Sequence, residues 1–234
     1  MIFKFKQFNV DQSGCAMKIN TDGVLIGAMA TGKAGRVLDI GTGTGVIALM
    51  LAQRFNEARI DAVEIDGDAA ATAKKNFEGS PFANRLNLFP GDFEDFFKSN
   101  PQQKFDLIVS NPPFYIDSLA SPGEKKNLAK HADASFFERL LAHVADHLSD
   151  DGAFWLILPL QTAALVKALA AENKLHLQEQ INIRSFAEDT PHRQIIVLSK
   201  STQVFIEKDF IIYSEPKQYT TEYQHLLKDF FTIF

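Results

Sequence analysis

One cysteine, Cys15, stands in a chain of 234 residues, so an internal disulfide has no partner and a zinc site built from several thiolates is excluded. Long apolar runs are also missing. Stretches such as Phe154-Trp155-Leu156-Ile157-Leu158 are strand-sized, far below the ~18 residues a membrane helix needs. The opening Met1-Ile2-Phe3-Lys4-Phe5-Lys6 alternates apolar and charged residues and lacks the continuous core of a secretory signal. Positive charge is not in excess either: the net charge is −5, which argues against grip on nucleic acid by bulk electrostatics. Internal repeats, low-complexity tracts and long linkers are absent. What is present is an ordinary globular balance, 46% apolar and 23% charged. These features lead us to expect a soluble, cytoplasmic monomer that uses neither membrane nor metal. One domain is expected over 1–234, with residues 1–35 as an extension ahead of a core over 36–234.

The charge is uneven. Residues 1–36 carry five bases (Lys4, Lys6, Lys18, Lys33 and Arg36) against Asp11 and Asp22, a local +3, whereas residues 37–110 sum to −4. A basic edge beside an acidic ligand-binding half fits this split, and ordinary surface variation fits it as well.

Hydrophobic period alternates along the chain between strand and helix. Strands are expected at Arg36–Ile40, Ile60–Ile65, Leu86–Phe89, Phe105–Ser110 and Ala153–Leu158, the last entered through a turn at Asp150-Asp151-Gly152. Helices are expected at Val46–Arg54, Ala69–Phe77, Phe136–Leu148 and Thr162–Glu172. Two further β-rich runs, Gln194–Ser199 and Gln203–Ile212, read as an antiparallel hairpin. Strands spaced by helix-length segments imply right-handed crossovers. The fold class expected is therefore α/β: a mostly parallel seven-stranded sheet, helices on both faces, and an antiparallel C-terminal hairpin at its edge.

The strongest local motif is Val37-Leu38-Asp39-Ile40-Gly41-Thr42-Gly43-Thr44-Gly45, a strand end, three alternate glycines and an immediate helix. Glycine permits positive φ and close backbone approach, and the turn sets the free N–H groups of a helix N-terminus against a ligand. The spacing is not that of the dinucleotide fingerprint, because the third glycine comes one residue early, and no Lys-Ser or Lys-Thr completes a Walker pattern. Glu64 ends the second strand, where a carboxylate can accept from both hydroxyls of a ribose diol. Asp92 ends the third strand and Asp39 the first. Three acids thus face the crevice in which open α/β sheets bind ligands.

This constellation, over roughly residues 36–160, resembles the Rossmann-like S-adenosylmethionine-dependent methyltransferases. The resemblance implies S-adenosyl-L-methionine as cofactor. It assigns the turn of Gly41, Thr42, Gly43 and Gly45, with Asp39 behind it, to the methionine part. Glu64, with Ile65 next to it, goes to the ribose, Asp92 to the adenine amino group, and Phe93 to packing on that adenine.

After the fourth strand comes Asn111-Pro112-Pro113-Phe114. Two prolines stiffen this loop and leave it with carbonyls rather than amides to present. An aromatic amine is a poor nucleophile because its lone pair is delocalised into the ring. A site that accepts hydrogen bonds from both amine hydrogens favours the pyramidal geometry of attack. The Asn111 side-chain oxygen and the Pro112 carbonyl can do this while Phe114 stacks on the ring. No strong base is then required, because the proton becomes acidic only as the methyl arrives. Among methyltransferases, this tetrapeptide marks enzymes acting on planar amines or amides.

Two more segments extend the likeness: Met17-Lys18-Ile19-Asn20-Thr21-Asp22-Gly23 near the start, and Tyr219-Thr220-Thr221-Glu222-Tyr223 near the end. With the central motifs they resemble the bacterial enzymes that methylate adenine N6 next to the anticodon of valine tRNA. That likeness spans nearly the whole chain. It implies a tRNA substrate, an N-terminal segment that helps close the cofactor pocket, and Thr21 and Asp22 as cofactor neighbours; Thr21-Asp22-Gly23 alone is only a helix start. Tyr115, Lys125, Lys126 and Lys130 follow the tetrapeptide where an RNA clamp would sit, although Asp117, Glu124 and Asp133 offset the lysines. Guanine N2 of ribosomal RNA and a protein glutamine amide remain alternative acceptors. Outside enzymes, a non-catalytic S-adenosylmethionine- or RNA-binding module remains open. A nicotinamide dehydrogenase is disfavoured by the glycine spacing.

Overall fold

The computed structural model describes residues 1–112 and 124–234, with side chains outside it for 124–133. A short hairpin, β1 (Ile2–Lys4) and β2 (Asn9–Asp11), precedes α1 (Thr21–Met29). Then follow β3 (Arg36–Ile40), α2 (Val46–Arg54), β4 (Arg59–Glu64), α3 (Gly67–Glu78), β5 (Leu86–Pro90), α4 (Phe93–Ser99), β6 (Phe105–Ser110) and α5 (Glu124–His147). The C-terminal part runs β7 (Leu148–Leu158), α6 (Leu160–Glu172), β8 (His176–Arg184), β9 (Arg193–Ser199), β10 (Ile206–Ile211), a small hairpin β11 (Tyr213–Glu215) and β12 (Gln218–Tyr219), and α7 (Thr221–Leu227).

Among the described residues the central sheet has eight strands, in the order β10-β8-β9-β7-β6-β3-β4-β5. Only β9 runs antiparallel to its neighbours, β7 and β8; the other pairs are parallel. Along each central strand, side chains alternate between two apolar layers, the pattern of a sheet buried on both faces. Val37, Leu107, Val109 and Trp155 join the core under α1, α2 and α7. Leu38, Ile108, Phe154 and Leu156 join the core under α4, α5 and α6 with Phe97, Leu140 and Val144.

The expected class holds, and three details are corrected. The sheet has eight strands because β8 was not expected. Its sequence His176–Arg184 alternates, but the polar members Gln178, Gln180 and Asn182 are themselves buried. Two of them are satisfied sideways: Gln180 Nε2 donates to Asn182 Oδ1 at 3.0 Å and to Glu207 at 2.8 Å, and Gln194 donates to Asn182 at 2.8 Å. Second, β10 does not pair with β9 as a hairpin. It lies parallel to β8, and the hairpin is β8–β9. Third, Asp150-Asp151-Gly152 is no separate turn but an irregular part of β7, where the register against β6 shifts between Phe105 and Leu107.

The sheet order reverses between β3 and β6, and a parallel sheet opens a crevice outside its carboxyl ends at such a point. Register places Ile40 beside Ser110 and Glu64 beside Pro90 at that edge. Because β9 is antiparallel, its first residues reach the same edge, with Gln194 opposite Leu158.

Candidate active site

A cavity of about 720 Å³ opens at this switch point, within the size range of small-molecule sites. Of the residues expected from sequence, Gly41, Gly43, Glu64, Ile65, Asp92, Phe93, Asn111 and Pro112 line it.

Glu64 organises the near wall. Its buried carboxylate accepts from the Gly43 amide through Oε2 and from the Asp66 amide through Oε1, each at 2.8 Å. Two backbone amides therefore fix the carboxylate, and its remaining lone pairs are available to the cavity. The amides of Gly41 and Thr42 both donate to the Val63 carbonyl, at 2.9 and 3.1 Å, which pins the turn to the next strand. Gly41, Gly43 and Gly45 have φ of 74°, 56° and 83°, the left-handed region that favours glycine. Their surroundings differ. A Cβ on Gly41 or Gly43 would meet nothing within 4 Å, because both face open space, whereas on Gly45 it would stand 2.5 Å from Phe77 Cε1. The missing Cβ at Gly45 leaves room for Phe77 of α3 to pack on the turn.

Asp39 and Thr42 stand behind the turn. Asp39 is fully buried and accepts from the Thr42 hydroxyl at 2.6 Å. Burial pushes its carboxyl up to about 7, against the lowering effect of the Thr42 hydroxyl and the Ala48 amide. Asp92 caps α4 by accepting from Glu94 N at 2.7 Å through Oδ1. Phe93 packs edge-on against Phe136, at 5.6 Å between centroids, and Ile65 is 71% exposed beside Glu64.

On the far wall, β6 ends in Ser110, whose hydroxyl donates to Ile40 O at 2.8 Å and ties β6 to β3. Asn111 comes next. Its Oδ1 is buried and has no hydrogen-bond partner among the described residues, an arrangement that costs free energy unless a donor is supplied to it. The first turn of α1 backs this side chain: a Cβ on Gly23 would lie 3.8 Å from Asn111 Nδ2.

Thr21 and Asp22 are not among the cavity-lining residues. Asn20 caps α1 through the Gly23 amide, and Asp22 accepts from Arg193 Nε at 2.8 Å, joining α1 to the start of β9. Pro113, Phe114 and Tyr115 lie outside the described residues, as do the side chains of Lys125, Lys126 and Lys130. Sequence reading missed Cys15, Ala16 and Met17, which come from the loop after β2, and also Asp66, Ser110 and Phe136. Asp66 and Ser110 adjoin expected strand ends and were within reach of that reasoning, but residues 15–17 carry no periodic signal. Burial pushes the Cys15 thiol up, the opposite of an activated nucleophile. Among the described residues no three His, Cys, Asp or Glu side chains gather as a metal site, and no helix is long and apolar enough to cross a membrane.

Comparison with known proteins fits this geometry. Residues 19–170 match the family described as "Methyltransferase small domain". The chain belongs to this methyltransferase family. Within it, the chain is 49% identical over 233 residues to the tRNA1(Val) (adenine(37)-N6)-methyltransferase of Pedobacter heparinus, covering 99% of this chain and 98% of that protein. The same description attaches to a Bacteroides thetaiotaomicron protein at 42% identity, covering 98% and 96%. Among solved structures, a protein of Agrobacterium tumefaciens described as a predicted O-methyltransferase superposes with a TM-score of 0.70 at 16% identity, covering 89% of this chain and 96% of that one. A TehB-like S-adenosylmethionine-dependent methyltransferase of Corynebacterium glutamicum gives 0.54 at 20% identity, covering 80% and 90%. At these identities the structural likeness shows the shared fold. It is the methyltransferase family's Rossmann-like sheet, as the sequence led us to expect.

Proposed function

We propose that this methyltransferase carries a methyl group from S-adenosyl-L-methionine to the exocyclic N6 of adenine in tRNA, next to the anticodon of valine tRNA. The observation that carries this reading is Asn111: a buried amide oxygen with no partner among the described residues, at the end of β6 on the wall of the cavity. The two relatives above, both described as acting on adenine 37 of tRNA1(Val), supply the acceptor.

The cavity fits the cofactor. Gly41 and Gly43 leave open space where any other residue would project a Cβ, and Glu64 and Asp92 offer acceptors on neighbouring strand ends. Glu64 would hold the ribose hydroxyls and Asp92 the adenine amino group, with Ile65 and Phe93 as apolar flanks. Asp39, Thr42 and Gly45 would shape the turn from behind, and residues 1–35 would close the pocket through Cys15–Met17 as part of one domain spanning 1–234. When bound, the cofactor supplies an electrophilic methyl on a sulfonium. The protein's own contribution is positioning and hydrogen-bond acceptance. Asn111 Oδ1 accepts from one amine hydrogen and the Pro112 carbonyl from the other. This draws the nitrogen lone pair out of the ring plane, and Pro113 keeps the loop stiff. The acceptors also hold the proton that becomes acidic as the new N–C bond forms, until water removes it. Phe114 stacks on the flipped base, while Tyr115, Lys125, Lys126 and Lys130 hold RNA beyond it. Thr21 and Asp22 support this wall from α1. Acting on tRNA fits a cytoplasmic enzyme.

The test incubates purified protein with labelled S-adenosylmethionine and unmodified bacterial tRNA, then digests the RNA to nucleosides. Label in N6-methyladenosine is expected. No label in the tRNA, with S-adenosylmethionine binding confirmed by calorimetry, would overturn the acceptor and keep the methyl donor.

A further inference from the structure

A second cavity, of about 570 Å³, lies beside the first on the α1 side of the sheet. Phe3, Tyr219, Tyr223 and Phe231 form its aromatic wall, and Asn20 and Thr21 its polar side. Tyr219 is held rigidly, stacked on Tyr223 at 4.6 Å and 8° and on Tyr213 at 5.1 Å and 24°. Asn20 spends its side-chain oxygen on the Gly23 amide; among the described residues its NH₂ group and the Thr21 hydroxyl have no protein partner.

Topology puts this cavity at the ligand edge. α1 starts there, since its first turn backs Asn111, and Thr220 N bonds Ile212 O just past the carboxyl end of β10. The same few residues, Asn20 to Gly23, thus separate the two cavities.

The basic stretch seen in the sequence also resolves here. Lys33 pairs with Asp151 at 2.7 Å, Arg36 lies 3.9 Å from Asp61, and Lys6 donates to main-chain carbonyls of Lys228 and Phe234. Lys4 and Lys18 remain. Lys4 lines the cavity, Lys18 precedes the lining residue Ile19, and neither has an ion-pair partner among the described residues. Ile2 and Ile233, 62% and 69% exposed, also line this cavity.

We propose that this second cavity takes an unpaired nucleobase of the substrate RNA, from a nucleotide near the target adenine, with its phosphate facing Lys4 and Lys18. The proposal rests on the RNA acceptor proposed above. The faces of Tyr219 are covered by Tyr213 and Tyr223, so ring edges and the aliphatic Ile2, Ile19 and Ile233 form the apolar surface for a base; free donors suit its ring nitrogens and carbonyls, and the two lysines suit a phosphodiester. Single-stranded loops are recognised by splaying several bases out, so a reader beside the catalytic pocket would set which adenine enters it.

The experiment uses the whole protein and an anticodon stem-loop RNA. Ile233→Glu combined with Lys4→Ala changes two exposed side chains, so folding is not at stake. The KM for RNA should rise about tenfold, the loss of one stacked base, with kcat within about twofold. Affinity for S-adenosylmethionine should be unchanged by calorimetry. In a scan of the loop with abasic nucleotides, one position other than the target should cost the wild type a similar factor and the variant nothing further. A KM within about twofold of wild type, or an abasic profile identical in both proteins, would overturn the proposal. If the wild type places no label in tRNA adenine, the acceptor reading fails first, and this proposal falls with it.

Discussion

Replacing Glu64 by glutamine keeps the shape of the side chain and removes its charge and one of its two acceptor ends. In the folded protein those ends take the amides of Gly43 and Asp66, both at 2.8 Å, in a buried position. A glutamine can satisfy one of them with its oxygen; its NH₂ then faces the other amide, donor to donor. Losing one charge-assisted bond and leaving an amide unmatched costs about 1–3 kcal/mol. At about 2–4 °C per kcal/mol for a chain of this size, the ligand-free protein should melt about 2–12 °C lower. Cofactor affinity should fall by a similar free energy, about 5- to 150-fold, because the same carboxylate would hold the ribose. Both numbers come from one preparation, by scanning calorimetry without ligand and titration calorimetry with S-adenosylmethionine. Weaker binding with an unchanged melting temperature would refute the bracing role, and an unchanged affinity would refute the ribose role.

The glycine turn yields a paired prediction. Gly45→Ala drives a methyl to 2.5 Å from the Phe77 ring at a positive φ and should destabilise by about 2–4 kcal/mol, part of it restored by Phe77→Leu. Gly43→Ala should cost only about 1 kcal/mol in stability, since its methyl meets nothing, yet weaken cofactor binding by filling the cavity. Asn111→Ala should lower turnover by about 10²–10³-fold while leaving cofactor affinity nearly unchanged, and a matched loss in titration calorimetry would remove Asn111 from catalysis. Asp39 governs a pH effect. Because its folded carboxyl titrates at about 7, above its unfolded value, the folded state binds the extra proton between about pH 4 and 7, so stability contributed there is lost as pH rises through 7. Asp39→Asn should flatten that part of the stability profile, measured by denaturant melts at pH 5 and 8; parallel profiles would contradict the raised value.

The parts of the fold that sequence revealed are those where side-chain chemistry and burial agree. β3, α2 and β6 match their expected bounds because strand or helix period, glycine turn and proline stop all coincide there. β8 was not expected because both its faces are buried, Ile181 and Ile183 on one and Gln178, Gln180 and Asn182 on the other, and the polar set reads as solvent-facing; its partners Gln194 and Glu207 come from the two strands that follow. The same limit applied at the site. Glycines and acids at strand ends could be placed from spacing alone. That Gly45 makes room for Phe77, or that Cys15 borders the cavity, depends on α3 and on the loop after β2, whose docking leaves no local pattern.

The single reversed strand has a consequence for how the molecule comes apart. β8 and β10 have no main-chain bond to the rest of the sheet except through β9, which fills the slot between β7 and β8. Once β9 detaches, the two outer strands lose their anchorage together. In native-state hydrogen exchange the amides of β8 and β10 should therefore open no less readily than those of β9, as one cooperative unit. The strands beneath the glycine turn should outlast them. An edge anchored in this way can be lengthened or reshaped along the rim without loosening the half that carries the glycine turn.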